Sequence, residues 1–298
     1  MVVAFLSPFA PLSSLSPHPT PYTPHPTPSF MTDFWTTILD FAATTSQRVG
    51  AQLMQDFGQV QASQKADGSL VTQADKWADR EIQDAIASNF NGYGILSEEG
   101  ETIFPDAEWC WVIDPLDGTT NFTRGLPIWG ISLGLLYRGT PVFGYVHLPP
   151  LGQSFHGFWA GDSGLATPTG AFLNHHPIHA STDVVSKNHF FNLCSRSTAV
   201  MQSGFPCKIR MLGVASYNFL TVAAGAVLGG VEATPKIWDL AGAWVILHAA
   251  GGTWVELRSP SIFPLLPGND YSNISFPSLV VSRRELISVF QPFLESLK

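Results

Sequence analysis

The sequence of 298 residues is poor in charge, since only 13% of its side chains are charged and 15 basic residues face 23 acidic ones. The resulting net charge of −8 argues against the basic stripe that nucleic-acid-binding proteins present to phosphates, so no nucleic-acid partner is expected. No apolar run reaches the roughly 20 residues that cross a bilayer. The best candidate, 240–250, is shorter and contains His248, so no membrane partner is expected either.

Cysteine is also scarce. The three cysteines, Cys110, Cys194 and Cys207, are odd in number and lack the spacing of a metal site, which indicates buried, reduced thiols. Reduced thiols in turn predict a cytoplasmic protein. The apolar start of the chain lacks the basic residues of a signal peptide, and the absence of arginine before residue 31 argues against an organelle transit peptide.

The first thirty residues differ from everything after them. Residues 1–30 contain eight of the 23 prolines and no charged side chain. This composition is typical of a flexible linker. We expect the segment to be either a disordered extension or the result of a misassigned start, in which case Met31 is the true first residue.

Apolar residues make up 45% of the chain, and their spacing predicts its helices and strands. The first half is predicted to contain helices over 33–60 and 71–90, the latter with a capping-box spacing of Thr72 and Asp75, and strands over 94–96, 109–113, 131–137, 141–147 and 154–159. The second half is predicted to alternate strands over 190–193, 208–212, 253–257 and 279–282 with helices over 197–204, 216–226, 239–250 and 286–297. This order predicts an α/β protein with an α+β N-terminal half, residues 31–170, and an α/β C-terminal half, residues 171–298.

The most specific pattern in the chain is the run 111–122, WVIDPLDGTTNF. An apolar strand delivers Asp114 and Asp117 to a tight turn, in which a proline fixes one backbone angle and Gly118 permits a conformation that side chains forbid. Both carboxylates can then share one space with the carbonyl of Leu116, an oxygen-rich environment that suits Mg²⁺. The simpler alternative is a turn whose acids only bond its own N–H groups. The length of the pattern favours the metal site.

Three further acids stand where predicted elements begin or end, which is where functional side chains converge. Asp75 and Asp239 lie at helix starts, and Glu98 follows a short strand. Each also has a structural explanation. An acid at a helix start complements the helix dipole, and Glu98 with Glu99 fits a pair of solvated loop acids.

The run 114–122, together with the second run 238–243, WDLAGA, resembles the two signatures of the inositol monophosphatase family. Members of that family are Mg²⁺-dependent, lithium-sensitive phosphatases, and the resemblance extends in order and spacing from about Lys65 to Gly252. It implies a layered αβαβα sandwich and hydrolysis of a small polyol phosphate, with inositol 1-phosphate as the default substrate. The alternatives are histidinol phosphate, fructose bisphosphate or phosphoadenosine phosphate, and, from another class, a non-catalytic protein that binds phosphometabolites.

The resemblance also implies roles for individual residues. The implied ligands of two or three Mg²⁺ ions are Glu98, Asp114, the carbonyl of Leu116, Asp117 and Asp239. The implied catalytic pair, which orients a water, is Asp75 and Thr119. The implied substrate contacts are Gly118, Thr119, Gly213, Val214, Ala215 and Glu232. Lys65 and Glu99 match positions near the active site without a defined role, and a homodimer is expected.

The resemblance weakens at the substrate end. Val214 replaces a hydroxyl residue of the family pattern, Ala249 replaces an acid, and Gly242 stands where Ala is usual. None of these positions is an implied metal ligand. The departures therefore leave the identity of the alcohol open, but not the reaction.

Overall fold

The computed structural model describes residues 29–65, 68, 70–200, 204–258 and 261–297. Residues 1–28, which carry nearly all of the expected proline-rich extension, lie outside the described residues. The first helix begins at Ser29 and so includes the last two residues of that segment. None of the described helices combines the length and the apolarity that a membrane span requires.

The helices and strands follow the predicted order closely. The elements of the first part are α1 (Ser29–Asp56), β1 (Ser63–Gln64), β2 (Leu70–Val71), α2 (Gln73–Asn89), β3 (Gly94–Ser97), β4 (Trp109–Asp117), α3 (Thr119–Thr123), β5 (Gly130–Tyr137), β6 (Thr140–Leu148), β7 (Gln153–Phe158), β8 (Gly170–Leu173) and β9 (His176–Pro177). Those of the second part are β10 (Phe190–Leu193), β11 (Lys208–Arg210), α4 (Ala215–Ala223), β12 (Gly229–Glu232), α5 (Ile237–Ala249), β13 (Thr253–Glu256), β14 (Ser278–Val281) and α6 (Ile287–Phe290).

These elements stack in five layers. Strands β3 to β9 form a seven-stranded sheet in chain order, and a five-stranded sheet has the order β11-β10-β12-β14-β13. Helices α1 and α2 cover one face of the larger sheet, while α4 and α5 lie between the two sheets. On β14, Val280 belongs to the inner core, whereas Leu279 and Val281 pack outward against α6 and the C-terminal turns. The predicted αβαβα sandwich is confirmed.

Several segments differ from the predicted elements, and β1, β2, α3 and β12 were not predicted. The expected helix over 197–204 is a 3₁₀-helix at Ser195–Val200 as far as it is described, and its residues 201–203 lie outside the described residues. The last helix is broken into 3₁₀ turns around the single turn α6. Pro292 explains part of that break, because proline lacks the N–H that a continuous helix needs. Strands β8 and β9 were not predicted, since they are four and two residues long and are therefore too short to show an apolar alternation.

Three neighbouring glycines bring α5 onto the larger sheet. Gly134, Gly144 and Gly157 pair with one another across β5, β6 and β7. A Cβ on Gly144 would lie 2.1 Å from the carbonyl oxygen of Gly242 in α5, so no larger residue fits at the present spacing. This close approach positions α5, and with it Asp239, at the end of β4.

Candidate active site

The centre of the site is a cluster of carboxylates at the end of β4. Asp114, Asp117 and Asp239 each offer an oxygen atom, and these oxygens lie within 4.8 Å of one another. The pairing of β4 with β5 shifts register between Asp114 and Asp117, and the N–H of Leu116 donates to Oδ1 of Asp114 at 2.9 Å. The predicted turn therefore brings both of its acids to one point, and α5 adds a third.

Burial makes this cluster unfavourable in its ionised form. Asp114 is 1% exposed. Desolvation raises the pKa of Asp114 and of Asp239 well above the usual range, and the neighbouring carboxylates of Glu98 and Asp117 raise it further. A bound cation would remove that repulsion. Carboxylates beside the carbonyl of Leu116 are the oxygen donors that hard divalent cations prefer, so the residues present fit Mg²⁺.

The start of α4 fixes Asp117 from the opposite side. The N–H groups of Ala215 and Ser216 donate to the two oxygens of Asp117, at 3.2 and 2.8 Å. Desolvation raises the pKa of Asp117, and these bonds oppose the rise. The loop that the sequence associates with substrate is thus bonded directly to the acid cluster.

Glu98 reaches the cluster from the end of β3. Its N–H donates to the carbonyl of Ile113 at 3.2 Å, and the ammonium of Lys65 bonds Glu98 at 2.9 Å and also bonds Glu99. Desolvation raises the pKa of Glu98 to about 7, although the charge of Lys65 acts against the rise. For Lys65, burial alone would lower the pKa, but the two carboxylates outweigh burial and raise it. Lys65 therefore holds both acids at the site.

Asp79, which the sequence analysis did not select, anchors the end of β3. This buried carboxylate accepts a hydrogen bond from the hydroxyl of Ser97, the residue before Glu98, and another from Nε2 of Gln83 at 2.7 Å. Its position four residues after Asp75 places both acids on one face of α2, and this spacing was the available sequence signal. Asp79 supports the backbone from which Glu98 projects.

The implied catalytic pair is assembled between two helices. Oδ1 of Asp75 accepts the hydroxyl of Thr119 at 3.0 Å, while Oδ2 accepts the N–H of Thr72 at 2.8 Å and completes the predicted capping box. Burial raises the pKa of Asp75, and the bonds from Thr72 and Thr119 oppose this rise. Asp75 thus caps α2 with one oxygen and faces the site with the other.

Asp239, at the start of α5, likewise caps its helix and faces the site. Its Oδ2 accepts the N–H of Lys236 at 2.7 Å, and its carboxyl group also lies within hydrogen-bonding distance of Asp114. Asp75 and Asp239 can therefore cap their helices and also take part in the site. A capping carboxylate has two oxygens, and each acid commits one of them to its helix.

Three adjoining cavities surround the cluster, and all three are lined by Asp239 and Arg196. The acid cavity, of about 260 Å³, contains Glu98, Asp114, Asp117, Gly118 and Thr119. The Glu232 cavity, of about 490 Å³, contains Gly213, Val214, Ala215 and Glu232. The Lys236 cavity, of about 510 Å³, contains Lys65, Glu98 and Lys236. Nearly all the residues selected from the sequence thus line one of these three cavities. Asp75 and Glu99 do not line a cavity, but they are joined to the site by hydrogen bonds with Thr119 and Lys65.

The Glu232 cavity ends in a buried polar group. Glu232 is 5% exposed, accepts a hydrogen bond from Nδ2 of Asn218, and has a pKa raised by desolvation to about 7. Cys194 lines the same cavity and, unlike Cys110 and Cys207, is only half-buried. Burial and the neighbouring Glu232 raise the pKa of the Cys194 thiol, which keeps it protonated.

A close contact joins the acid cavity to the Glu232 cavity. Gly118 has a φ of 95°, and a Cβ at this position would lie 2.7 Å from Cγ2 of Val214. Val214 is fully buried. Val214, which departs from the family pattern, therefore packs a methyl group against Gly118 in the Asp114–Thr119 turn. A hydroxyl group at the same place would have faced the backbone of that glycine.

The sequence model of the inositol monophosphatase family matches residues 35–276. The chain belongs to the inositol monophosphatase family. It is accordingly an enzyme that hydrolyses phosphate monoesters, in a family of metal-dependent phosphatases that act on small phosphorylated substrates. The resemblance noted in the sequence is confirmed.

Individual relatives support the assignment. A fructose-1,6-bisphosphatase/inositol-1-monophosphatase of Thermotoga maritima is 34% identical over 222 residues, which are 72% of this chain and 82% of that protein. A histidinol-phosphatase of Mycobacterium tuberculosis is 29% identical over 204 residues, 65% of this chain and 76% of that protein. The solved structure of an IMPase from Thermotoga maritima matches with a TM-score of 0.74 and 28% identity, covering 88% of this chain and all of that one. The names of these relatives include several phosphate esters.

The departure at Gly242 has a structural reason in this family member. A Cβ on Gly242 would lie 2.9 Å from the carbonyl oxygen of Leu133 in β5. Because α5 lies so close to the sheet, alanine would require the helix to move. Gly242 therefore belongs to the same close packing as Gly144 and does not indicate a change in chemistry.

Proposed function

We propose that this phosphatase catalyses the Mg²⁺-dependent hydrolysis of a small polyol phosphate, with inositol 1-phosphate as the default substrate. The observation that carries the proposal is the convergence of Asp114, Asp117 and Asp239 within 4.8 Å, beside a Thr119 hydroxyl bonded to Asp75. The first group suits a divalent cation and the second suits a water molecule. A phosphate monoester needs both, because its negative charge repels nucleophiles.

The metal ligands would be Glu98, Asp114, the Leu116 carbonyl, Asp117 and Asp239, holding two or three Mg²⁺ ions with Asp114 shared. When bound, such ions neutralise phosphate oxygens, acidify a water molecule and stabilise the leaving alkoxide. Lys65 would hold Glu98 and Glu99 in place before the ions bind, since its ammonium bonds both carboxylates. A cluster with raised pKa values also releases protons when it takes up cations.

The water would be oriented by Thr119 and Asp75. The Thr119 hydroxyl has one hydrogen and two acceptors within reach, Oδ1 of Asp75 at 3.0 Å and the carbonyl of Leu116 at 3.2 Å. Its oxygen is thereby left to accept a hydrogen from water. As the water oxygen bonds to phosphorus, its proton passes through Thr119 to Asp75, whose raised pKa makes it a better base than an ordinary carboxylate. The phosphorus–oxygen bond to the alcohol breaks, the alcohol oxygen takes up a proton from a solvent water molecule, and Asp75 returns its own proton to solvent.

The two ends of the substrate would bind to different groups. By family resemblance, the N–H groups of Gly118 and Thr119 receive the phosphate, and Gly213, Val214 and Ala215 border the alcohol. Glu232 offers a carboxylate to the hydroxyl groups of a polyol, since a carboxylate oxygen accepts several hydrogen bonds. The bond from Asn218 fixes that carboxylate in place.

The decisive experiment measures phosphate release from inositol 1-phosphate, histidinol phosphate, fructose 1,6-bisphosphate and phosphoadenosine phosphate, with and without Mg²⁺. We expect turnover of at least one ester that disappears when Mg²⁺ is chelated. Absence of Mg²⁺-dependent release from every ester would contradict the proposal and favour a binding protein that retains the family fold.

Three broader expectations belong to the same proposal. We expect a homodimer, which light scattering on the purified protein would test. We expect a cytoplasmic location, which fractionation of the source cells would test. We also expect residues 31–170 and 171–298 to behave as two halves of the enzyme, the first holding most of the metal ligands and the second contributing Asp239 and the substrate loops. Limited proteolysis would show whether cleavage concentrates near residue 170.

A further inference from the structure

Asn121 has no role in the function proposed above, although it belongs to the run 111–122 and lines the Glu232 cavity. Its side chain is 8% exposed and lies on α3, directly after the turn that carries Asp114 and Asp117. Nδ2 of Asn121 donates to two carbonyl oxygens, those of Ile128 and Leu212, at 2.8 Å each. Because a carbonyl oxygen only accepts hydrogen bonds, both contacts require the amide nitrogen at this position.

The two carbonyls belong to separate loops that line the same cavity. Ile128 follows Asn121 by seven residues, in the loop between α3 and β5, whereas Leu212 follows it by 91 residues, in the loop between β11 and α4. The Glu232 cavity is lined by the first loop at residues 126–128 and by the second at residues 211–214. One amide group therefore joins two walls of the cavity to each other.

Both loops also contact Asn121 in a second way. Gly213 has a φ of 76°, and a Cβ there would lie 2.9 Å from Oδ1 and 3.0 Å from Nδ2 of Asn121. The backbone of the second loop thus lies against the amide itself. In the first loop, the N–H of Leu126 donates to the backbone carbonyl of Asn121 at 2.9 Å.

The second loop is attached to the turn at two points of opposite polarity. Asp117 accepts the N–H groups at the start of α4, including that of Ala215 at 3.2 Å, whereas Asn121 donates to the carbonyl of Leu212, three residues earlier. Between these two points lie Gly213 and Val214, which are proposed alcohol contacts. Of the two attachments, only Asp117 is also a proposed metal ligand.

The turn itself is held by bonds that do not involve the Asn121 amide. The hydroxyl of Thr119 donates to Asp75, and the carbonyl of Gly118 accepts the N–H of Phe122 at 3.0 Å. Loss of the Asn121 amide should therefore displace the two loops and leave the turn in place.

We propose that Asn121 is a positioning residue for the alcohol end of the substrate. Its amide fixes the separation of the two loops that line the Glu232 cavity, and it thereby determines the affinity for the ester without acting on the metal cluster. This proposal rests on the proposed function, because that function assigns the alcohol to the Glu232 cavity.

The test compares two constants in wild type and in Asn121→Leu, both with saturating Mg²⁺. The first is the KM for the ester of the four-member panel that wild type hydrolyses fastest, and the second is the inhibition constant of inorganic phosphate. Leucine is similar in size to asparagine but has no N–H group, so both carbonyl oxygens lose their donor. We expect the KM to rise roughly tenfold, with kcat changed by less than about threefold. The inhibition constant of inorganic phosphate stays within about twofold, because phosphate alone has no alcohol part.

Amide hydrogen exchange, followed by mass spectrometry, measures the positioning directly. We expect peptides that cover residues 124–130 and 209–216 to exchange roughly tenfold faster in Asn121→Leu, while exchange in α2 stays unchanged. This measurement needs no substrate. If Asn121→Leu does not fold, the smaller change Asn121→Ala is expected to have the same effects on the KM and on exchange.

Two control variants separate positioning from a general loss of stability. Ile38→Val shortens a fully buried side chain of α1 and lowers stability away from the three cavities. Asn174→Gly removes another amide that bridges loop segments, since Nδ2 of Asn174 donates to the carbonyl of Gly152 at 2.9 Å. Glycine accepts the φ of 47° at that position without strain. Both controls should keep the KM within about twofold of wild type.

Three results would overturn the proposal. The first is an unchanged KM in Asn121→Leu. The second is an equal rise in the KM and in the inhibition constant of phosphate, which would place the effect at the turn. The third is unchanged exchange in both loops.

Failure of the proposed function gives a different result, in which wild type hydrolyses no ester of the panel. Calorimetric titration of inositol 1-phosphate with Mg²⁺ then replaces the KM. We expect Asn121→Leu to bind it roughly tenfold more weakly than wild type. Equal titrations of the two proteins would refute the role of Asn121.

Discussion

The Thr119 hydroxyl lies 3.0 Å from Oδ1 of Asp75, and this bond connects the first residue of α3 with the first turn of α2. The two residues are 44 positions apart in the chain. The two residues are not sequence neighbours, yet together they form the hydroxyl–carboxylate pair that the proposed mechanism requires beside the proposed metal ligands.

Replacement of Asp75 by Asn tests this pair. The amide keeps the size of the side chain and an oxygen that can cap α2, but it cannot take up a proton from water. We expect kcat to fall by roughly 10²–10⁴, the usual contribution of a general base, with little change in melting temperature. Asp84→Asn, an exposed substitution on the same helix, should retain normal kcat. A kcat within threefold of wild type in Asp75→Asn would rule out proton transfer to this residue.

Replacement of Asp114 by Asn tests the metal cluster by two measurements. It removes the proposed shared ligand, so turnover should be abolished. Binding to the folded state alone stabilises a protein, by about 2.7 kcal/mol at a ligand concentration of 100 Kd. The wild-type melting temperature should therefore rise with added Mg²⁺, and this rise should be lost in Asp114→Asn. Asp40→Asn, at an exposed position of α1, should keep it. An unchanged Mg²⁺ response in Asp114→Asn would contradict the assignment.

The pH dependence of stability should reveal His248. Its ring stacks on Trp159 and contacts the tilted ring of Trp244, with centroid distances of 4.5 and 4.7 Å, and burial lowers its pKa from 6.5 to about 4. Below pH 6.5 the unfolded chain takes up a proton that the folded chain excludes until about pH 4. Above pH 6.5, His248 is neutral in both states and does not lower the free energy of unfolding. As the pH falls from 6.5 to about 4, protonation of the unfolded chain lowers the free energy of unfolding.

His248→Phe keeps an aromatic ring against the two tryptophans but cannot be protonated. We expect the stability of this variant relative to wild type to increase as the pH falls from 7.5 to 4.5, as measured by urea unfolding at several pH values. His176→Phe, at an exposed position, provides the comparison. A stability difference between His248→Phe and wild type that does not vary with pH would show that His248 titrates normally.

Enlarging Gly144 tests how α5 is positioned. A Cβ there would lie 2.1 Å from a backbone oxygen of Gly242, which cannot move without moving the helix. We expect Gly144→Ala to cost about 1–3 kcal/mol in unfolding free energy and to reduce activity, because Asp239 moves with α5. In Gly170→Ala the Cβ would meet only the ring of Phe172, so a smaller cost and normal activity are expected. Equal effects of the two variants would refute this account of the packing.

Local sequence predicted the parts of the site that depend on short-range geometry. The turn from Asp114 to Thr119 and the capping box of Thr72 and Asp75 follow from the conformations of neighbouring residues, and both are present. The predicted hairpin of β5 and β6 is present for the same reason. By contrast, β8 and β9 were missed because strands of two to four residues are too short to show an apolar periodicity.

The sequence by itself thus determined the turn, the element order and the acids that start the helices, and through the family resemblance it determined the reaction. Only the tertiary structure decided which distant groups meet. Asp239 joins Asp114 because glycines on three strands let α5 touch the sheet, and Arg196 and Lys236 line one cavity because the 3₁₀-helix after β10 and the start of α5 converge there. Turn and helix rules act over a few residues, whereas these contacts depend on the packing of whole layers, which no local pattern encodes.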